Sequence, residues 1–257
     1  MIALLFLIAL AATAPPSPPR YHCTKTQSAV TVDGKLDDPA WQNAPWTEDF
    51  DYLIRRDRPP PPLRTRAKML WDDQCLYVAA ELSETDVRAE MHDHDSTLFQ
   101  ENAFEIFVDP DGDAKDYVEL EFNALNTTFD LLMDKPYKQG GKPDIAWTCE
   151  GMKSAVQIDG TLNASDDVDR AWTIEVAIPW SGLSKLTPPP AAGSKWRVEL
   201  ARVEHRSDDR RAQYTAWSPT GESNLHVPGG WGVVEFVTAP DAARTRGPTS
   251  SQSSPSR

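Results

Sequence analysis

The sequence predicts an all-β fold, an antiparallel β-sandwich of jelly-roll type. Short stretches in which apolar and polar residues alternate with period two recur along the chain, and turn segments rich in Pro, Gly, Asp and Asn separate them. Helical periodicity of useful length is absent, and many short strands joined by such turns close best as two packed sheet layers.

The 257 residues divide where composition changes. Residues 1–14 are an apolar run too short to span a bilayer, ending in small residues with Ala9-Leu10-Ala11 or Ala12-Thr13-Ala14 as a cleavage site. They read as the signal peptide of a secreted or periplasmic protein. Residues 15–20 form a Pro-rich linker, since stacked prolines enter neither helix nor ladder. Residues 21–238 make one block, and the Ser-, Pro- and Arg-rich segment 239–257 reads as a disordered tail. Within the block, Leu76, Val78, Ala80 and Leu82 form one face of a strand. Phe104, Ile106 and Val108 alternate with Glu105, Phe107 and Asp109, and Val118, Leu120 and Phe122 alternate with Glu119, Glu121 and Asn123. Ile174, Val176 and Ile178, then Val198 and Leu200, continue the pattern. Further strands are expected near 29–33, 65–70, 127–133, 154–158 and 231–237. Short helical turns are expected at 37–41 and 179–183, and loops at Pro59–Pro62 and Pro188–Pro190.

Hydrophobic residues make up 40% of the chain and charged residues 25%, enough for a sizeable core. A net charge of -13 repels phosphate backbones and anionic lipid, which argues against nucleic-acid and membrane partners. Neutral glycans and divalent cations are compatible with it. Cys23, Cys75 and Cys149 show no C-x-x-C spacing, which argues against a zinc cage or redox motif and leaves one disulfide plus a free thiol open.

Strand geometry then gives a specific expectation. If the apolar faces look inward, Glu105, Glu119, Glu121, Glu175 and Glu199 all point away from the core. The short connection 110–116 makes the two central strands neighbours, so their carboxylates crowd one face. Like charges opposed across strands cost about 0.2–1 kcal/mol per pair, to be offset by Arg197, Arg202, a cation or a ligand rich in hydroxyl groups. A solvated polar face is the plainer alternative. Asp109, Asp111 and Asp113, spaced two apart around Gly112, offer a calcium site or an ordinary Asp/Gly turn. Nine tryptophans are present. Trp41, Trp71, Trp172, Trp196 and Trp231 sit beside core-patterned residues, whereas Trp147, Trp217 and Phe99 lie in loop-like segments and are better placed to stack on a sugar ring. His92, Asp93, His94 and Asp95 could ligate a transition metal, but no further cluster in the sequence supports it.

Five phrases in order resemble carbohydrate-binding module family 9. They are Val32-Asp33-Gly34-Lys35-Leu36-Asp37-Asp38-Pro39-Ala40-Trp41, Leu70-Trp71-Asp72-Asp73, Glu101-Asn102-Ala103-Phe104-Glu105-Ile106-Phe107-Val108-Asp109, Trp172-Thr173-Ile174-Glu175 with Ile178-Pro179-Trp180, and Trp217-Ser218-Pro219 closing on Trp231-Gly232. The resemblance implies a β-sandwich with bound calcium, a sugar gripped between two aromatic rings, and association with polysaccharide-degrading enzymes. Carried over, Phe99 is one ring of the clamp and Glu105 the carboxylate that binds sugar hydroxyls. The second ring position falls on Leu225, which leaves Trp147 or Trp217 to supply it. Glu119 and Glu121 stand where the family has Gln and Arg. The expected function is a secreted, non-catalytic carbohydrate-binding module, with a glycoside hydrolase using Glu105 and Glu119 or Glu121 as the alternative.

Overall fold

The computed structural model describes residues 17–54, 58–205 and 212–238; the expected signal peptide and tail lie outside the described residues. Thirteen strands run through them. In chain order they are β1 (Arg20–Lys25), β2 (Asp51–Tyr52), β3 (Thr65–Trp71), β4 (Cys75–Ser83), β5 (Ala103–Asp109), β6 (Tyr117–Phe122) and β7 (Thr128–Met133). They continue as β8 (Pro143–Asp144), β9 (Lys153–Asp159), β10 (Ala171–Pro179), β11 (Lys195–Glu204), β12 (Gln213–Ala216) and β13 (Gly232–Thr238). The single α-helical turn among the described residues, α1 (Pro39–Gln42), carries Pro at its start, where a missing N–H costs nothing. No helix among these residues is long and apolar enough to cross a membrane.

Hydrogen bonding links the strands in the order β8-β7-β6-β5-β11-β13-β1-β3-β4-β10-β9, so one sheet curls over on itself. Its two halves, β5–β8 with β11 and β3–β4 with β9–β10, form the layers of the sandwich. The pairing is antiparallel except at β1, which runs parallel to both β13 and β3 and bridges the layers. Phe104, Ile106, Leu120 and Leu200 from one layer and Val78, Ala80, Ile174 and Val176 from the other fill the main core between them. Arg202 of β11 also points into this interlayer space. It binds Glu84 at 2.6 Å, Glu204 at 2.6 Å and the Ser83 carbonyl at 2.7 Å.

Each strand expected from periodicity is present except that at 29–33, which is a loop. There the backbone N–H groups find side chains instead of a ladder: Thr31 donates to Asp38, and Asp33 and Gly34 donate to Glu175. The Pro-rich linker gives way at Arg20 to β1, a strand that alternation had not marked. Strands β2 and β8 are two-residue ladders too short to leave a pattern. All three cysteines are unpaired.

Glu175 is buried on the outer face of β10, away from the main core. Its carboxylate accepts from Trp41 Nε1 at 2.6 Å, Asp33 N at 2.9 Å and Gly34 N at 2.8 Å, and so pins the opening segment to the sheet. Gly34 has φ +83° and its missing Cβ would lie 2.7 Å from the Val156 carbonyl carbon, so no other residue fits this approach. Replacing Glu175 by Ala strands several buried donors, each costing about 1–3 kcal/mol. The expected loss in urea unfolding is about 2–5 kcal/mol, and a loss under 1 kcal/mol would show that the anchor is dispensable.

Candidate functional site

The outer face of β5, β6, β7 and β11 is where the five-glutamate expectation is decided. Alternation places Glu105 and Phe107 of β5, Glu119 and Glu121 of β6, and Glu199 of β11 on it. The register sets Glu105 directly across from Glu121 and Phe107 across from Glu119. Glu175 lies in the other layer, and Glu199 turns to the Ser218 and Leu200 backbone N–H groups at 2.9 and 3.1 Å. Glu105, Glu119 and Glu121 therefore form the cluster, with oxygens all within 4.8 Å of one another.

This face is not the solvated surface that a polar alternation suggests. Leu98, from the turn just before β5, and Leu53, Leu225 and Trp231, from segments distant in sequence, fold over it and build a second apolar cluster with Phe107, Phe129 and Leu131. The cover leaves a cavity of about 500 Å³ above the three carboxyls. Phe99, Tyr137 and Ile145 line it and remain exposed. Glu105 and Glu121 are each 1% exposed, and each has one oxygen without a hydrogen-bond partner.

Burial and mutual repulsion control how these groups titrate. Desolvation, then the neighbouring carboxyls, push Glu105 and Glu119 well above the ordinary carboxylate range. Glu121 is raised to about 9 by the same causes, against the pull of the Phe99 backbone N–H; a carboxyl–carboxyl hydrogen bond joins it to Glu119. His226 Nδ1 lies 3.0 Å from the Tyr117 hydroxyl, with Nε2 3.6 Å from Glu119. Burial lowers its pKa to about 4, so it is neutral at pH 7. The Tyr137 ring meets it edge-on at 4.6 Å.

Arg197 and Arg202 do not offset the carboxylates. Arg197 donates to the Trp231 carbonyl, and Arg202 occupies the interlayer side of β11. Trp147 and Trp217 are not platforms: they are 6% and 4% exposed and belong to the main core. Trp147 turns inward two residues after the exposed Ile145. The Trp217 indole packs against Gly232, where a Cβ would come within 2.3 Å of it. The ring that sequence reasoning missed is Tyr137, on a one-turn 3₁₀ helix, Tyr137–Gln139. A lone aromatic in the polar stretch Asp134–Gly141 was its signal. Leu225 borders the cavity, while Trp41, Trp71, Trp172, Trp196 and Trp231 are buried as expected.

Two further acidic groups are assembled. Asp109, Asp111 and Asp113 bring oxygens within 4.8 Å, an all-oxygen set that suits a hard cation. Asp109 also accepts from Gly112 N and Ala114 N, so the loop is braced by its own backbone. His94 and Asp95 gain a third potential ligand in the buried Asp130 of β7, which no sequence spacing could indicate.

The raised carboxyls make folding stability pH-dependent. Between the ordinary Glu value near 4.3 and about 9, the native state holds the Glu121 proton that the unfolded chain has lost, so stability falls as pH rises through that window. The limiting slope is about 1.4 kcal/mol per pH unit for one proton. Urea unfolding at pH 5 and pH 8 should show the decline, and Glu121→Gln should flatten it. Parallel profiles for the two proteins would refute the assignment.

Comparison with known proteins accords with this architecture. In a solved family 9 carbohydrate-binding module from Caldicellulosiruptor kristjanssonii, in complex with cellotriose, 96% of the chain superposes on 87% of this one, at a TM-score of 0.59 and 19% identity. Its complex with glucose gives a TM-score of 0.58 at 19% identity, over 97% of that chain and 86% of this one. In sequence, the chain is 24% identical over 208 residues to "Exoglucanase XynX" of Acetivibrio thermocellus, and 21% identical over 226 residues to "Endo-1,4-beta-xylanase A" of Thermoanaerobacterium saccharolyticum. These alignments take in 80% and 88% of this chain but only 16% and 17% of those relatives. The family model described as "Carbohydrate family 9 binding domain-like" matches residues 32–239, and the chain belongs to that family.

Proposed function

We propose that the chain is a non-catalytic saccharide-binding module whose ligand enters the cavity above Glu105, Glu119 and Glu121. The observation that carries this reading is a cavity of about 500 Å³ with carboxyls on its floor and exposed rings, Phe99 and Tyr137, among its lining residues. Carboxyl groups exchange hydrogen bonds with sugar hydroxyls, and aromatic faces cover the apolar faces of pyranose rings. The cellotriose and glucose complexes of the structural neighbour support the same ligand class. The names of the exoglucanase and xylanase relatives support action beside polysaccharide-degrading enzymes.

Binding without turnover is the reading that the carboxyl placement favours. Glycoside hydrolysis needs two carboxyls flanking the scissile bond. Here all three rise from one wall, on β5 and β6. Calorimetry against mono- and oligosaccharides should find a ligand that is not consumed, with no reducing sugar released. Phe99→Ala and Glu105→Gln should each weaken binding about tenfold or more, equivalent to ~1.4 kcal/mol. Failure of every saccharide to bind at millimolar concentration would remove this function.

Calcium at Asp109, Asp111 and Asp113 belongs to the same proposal, supported by their convergence on oxygen donors alone. Calcium at about a hundred times its Kd would stabilise the fold by about 2.7 kcal/mol. Thermal unfolding with calcium or with a chelator should show that increment, and the double change Asp111→Asn, Asp113→Asn should abolish it. Equal midpoints in the two conditions would rule the ion out. The apolar run of residues 1–14 supports export, which places the module where polysaccharides are met.

A further inference from the structure

We infer that the preferred ligand of this cavity is a saccharide carrying a protonated amine, its ammonium seated among Glu105, Glu119 and Glu121. The inference rests on the saccharide-binding reading and narrows it. Glu105 Oε2 and Glu121 Oε2 are buried oxygens for which neither backbone nor a cationic side chain supplies a donor, although both residues border the cavity. They await a donor from whatever enters.

Charge selects the kind of donor. Among the described residues that line the cavity there is no Lys or Arg. The one imidazole there, His226, is neutral at pH 7, and Asp95 adds a further carboxyl. The Tyr137 and Tyr214 hydroxyls are held protonated by burial and by the glutamates, Glu119 and Glu121 acting on Tyr137 and all three on Tyr214. Thus none of these groups offers a positive charge. An ammonium brings one, together with three N–H donors and no acceptor, against carboxylates that only accept when ionised. A neutral hydroxyl brings one donor but no charge that would hold the carboxyls in their ionised form.

Volume separates an organic cation from a bare ion. A metal held by the three carboxyls would occupy a small part of about 500 Å³ and leave Phe107, Phe129, Leu131 and Leu225 facing an unfilled space. A sugar ring covers those apolar side chains and reaches Phe99 and Tyr137 while its amine meets the floor. The carboxyls must ionise to receive the ammonium, so binding releases protons. Affinity then climbs with pH until the amine itself deprotonates.

The test is calorimetry on the full chain at pH 6.5 with three disaccharides (cellobiose, the β-1,4-linked glucosamine disaccharide and its N,N′-diacetyl form) and with calcium, manganese and zinc chloride, each alone. The amine should bind at least tenfold more tightly than either neutral disaccharide. Its apparent enthalpy should vary with the ionisation enthalpy of the buffer, revealing proton release. E119Q and E121Q, each isosteric and checked for folding by circular dichroism, should shrink the preference towards unity. Neutral sugars binding as well as the amine would overturn this inference and leave the saccharide reading standing, whereas no saccharide binding would end both. A metal that binds alone and is lost in E121Q would replace the amine as the cluster's ligand. The buffer dependence is read on the unmodified protein, so its absence would also count against the inference even if the variants failed to fold.

Discussion

Desolvation of both faces of β5 and β6 is the constraint from which the chemistry of the site follows. Every residue of the two strands is buried. Strands covered on both sides ordinarily read as unbroken apolar runs, yet here one face is apolar and the other carries three carboxyls. The main core takes Phe104, Ile106, Val118 and Leu120. On the opposite side, Trp231 packs against Phe107 at 5.4 Å, and its indole N–H bonds the Leu225 carbonyl at 2.7 Å, which fixes the covering segment. Water is thereby removed from the flanks of the glutamates, and only the cavity borders them from above. A carboxyl in such a place favours its neutral form until a donor or a cation arrives.

The phrases that give the sequence its family likeness are for the most part partners of one another. The opening phrase delivers Trp41, Asp33 and Gly34 to Glu175 of the fourth phrase. Asp72 of the second closes its own turn through Gln74 and Cys75, and its carbonyl accepts from Trp180, again of the fourth. Trp217 rests on Gly232, two parts of the closing phrase. Such pairs hold one architecture together whatever occupies the cavity. They explain why a chain can share a fold at 19% identity, with the covering loops free to differ.

Period-two alternation made most strands legible, because a residue's face is a local property of the backbone. It also identified the carboxyl cluster: the connection 110–116 forces β5 against β6, and parity does the rest. Solvent exposure was not legible in the same way. Whether Glu119 faces water depends on Leu53 and Leu225, which arrive from remote loops, and no local pattern reports that. The same limit misplaced the tryptophans. Trp147 and Trp217 sit among turn residues, but the chain directions at Ile145 and Ala216 send them inward. Strand β1 was hidden because prolines precede it and only its pairing with β13 and β3 makes it a strand.

Glutamine has nearly the shape of glutamate, and three glutamines would fill the same positions without repulsion or the desolvation of charge. What the acids add is a negative charge and a titratable proton, and neither strengthens the packing around them. Among the described residues, the two guanidinium groups of β11 are committed elsewhere, Arg197 to a backbone carbonyl and Arg202 to Glu84 and Glu204. The cluster therefore works against the stability of the empty protein, as charged groups at binding sites often do. Protonation relieves the repulsion of the empty site; once the carboxyls ionise, a compensating charge has to come from the cavity side, because the inner side of the sheet is sealed by the main core. Strain of this kind and affinity have one origin: the free energy withheld from the empty fold is returned when a positively charged donor fills the gap.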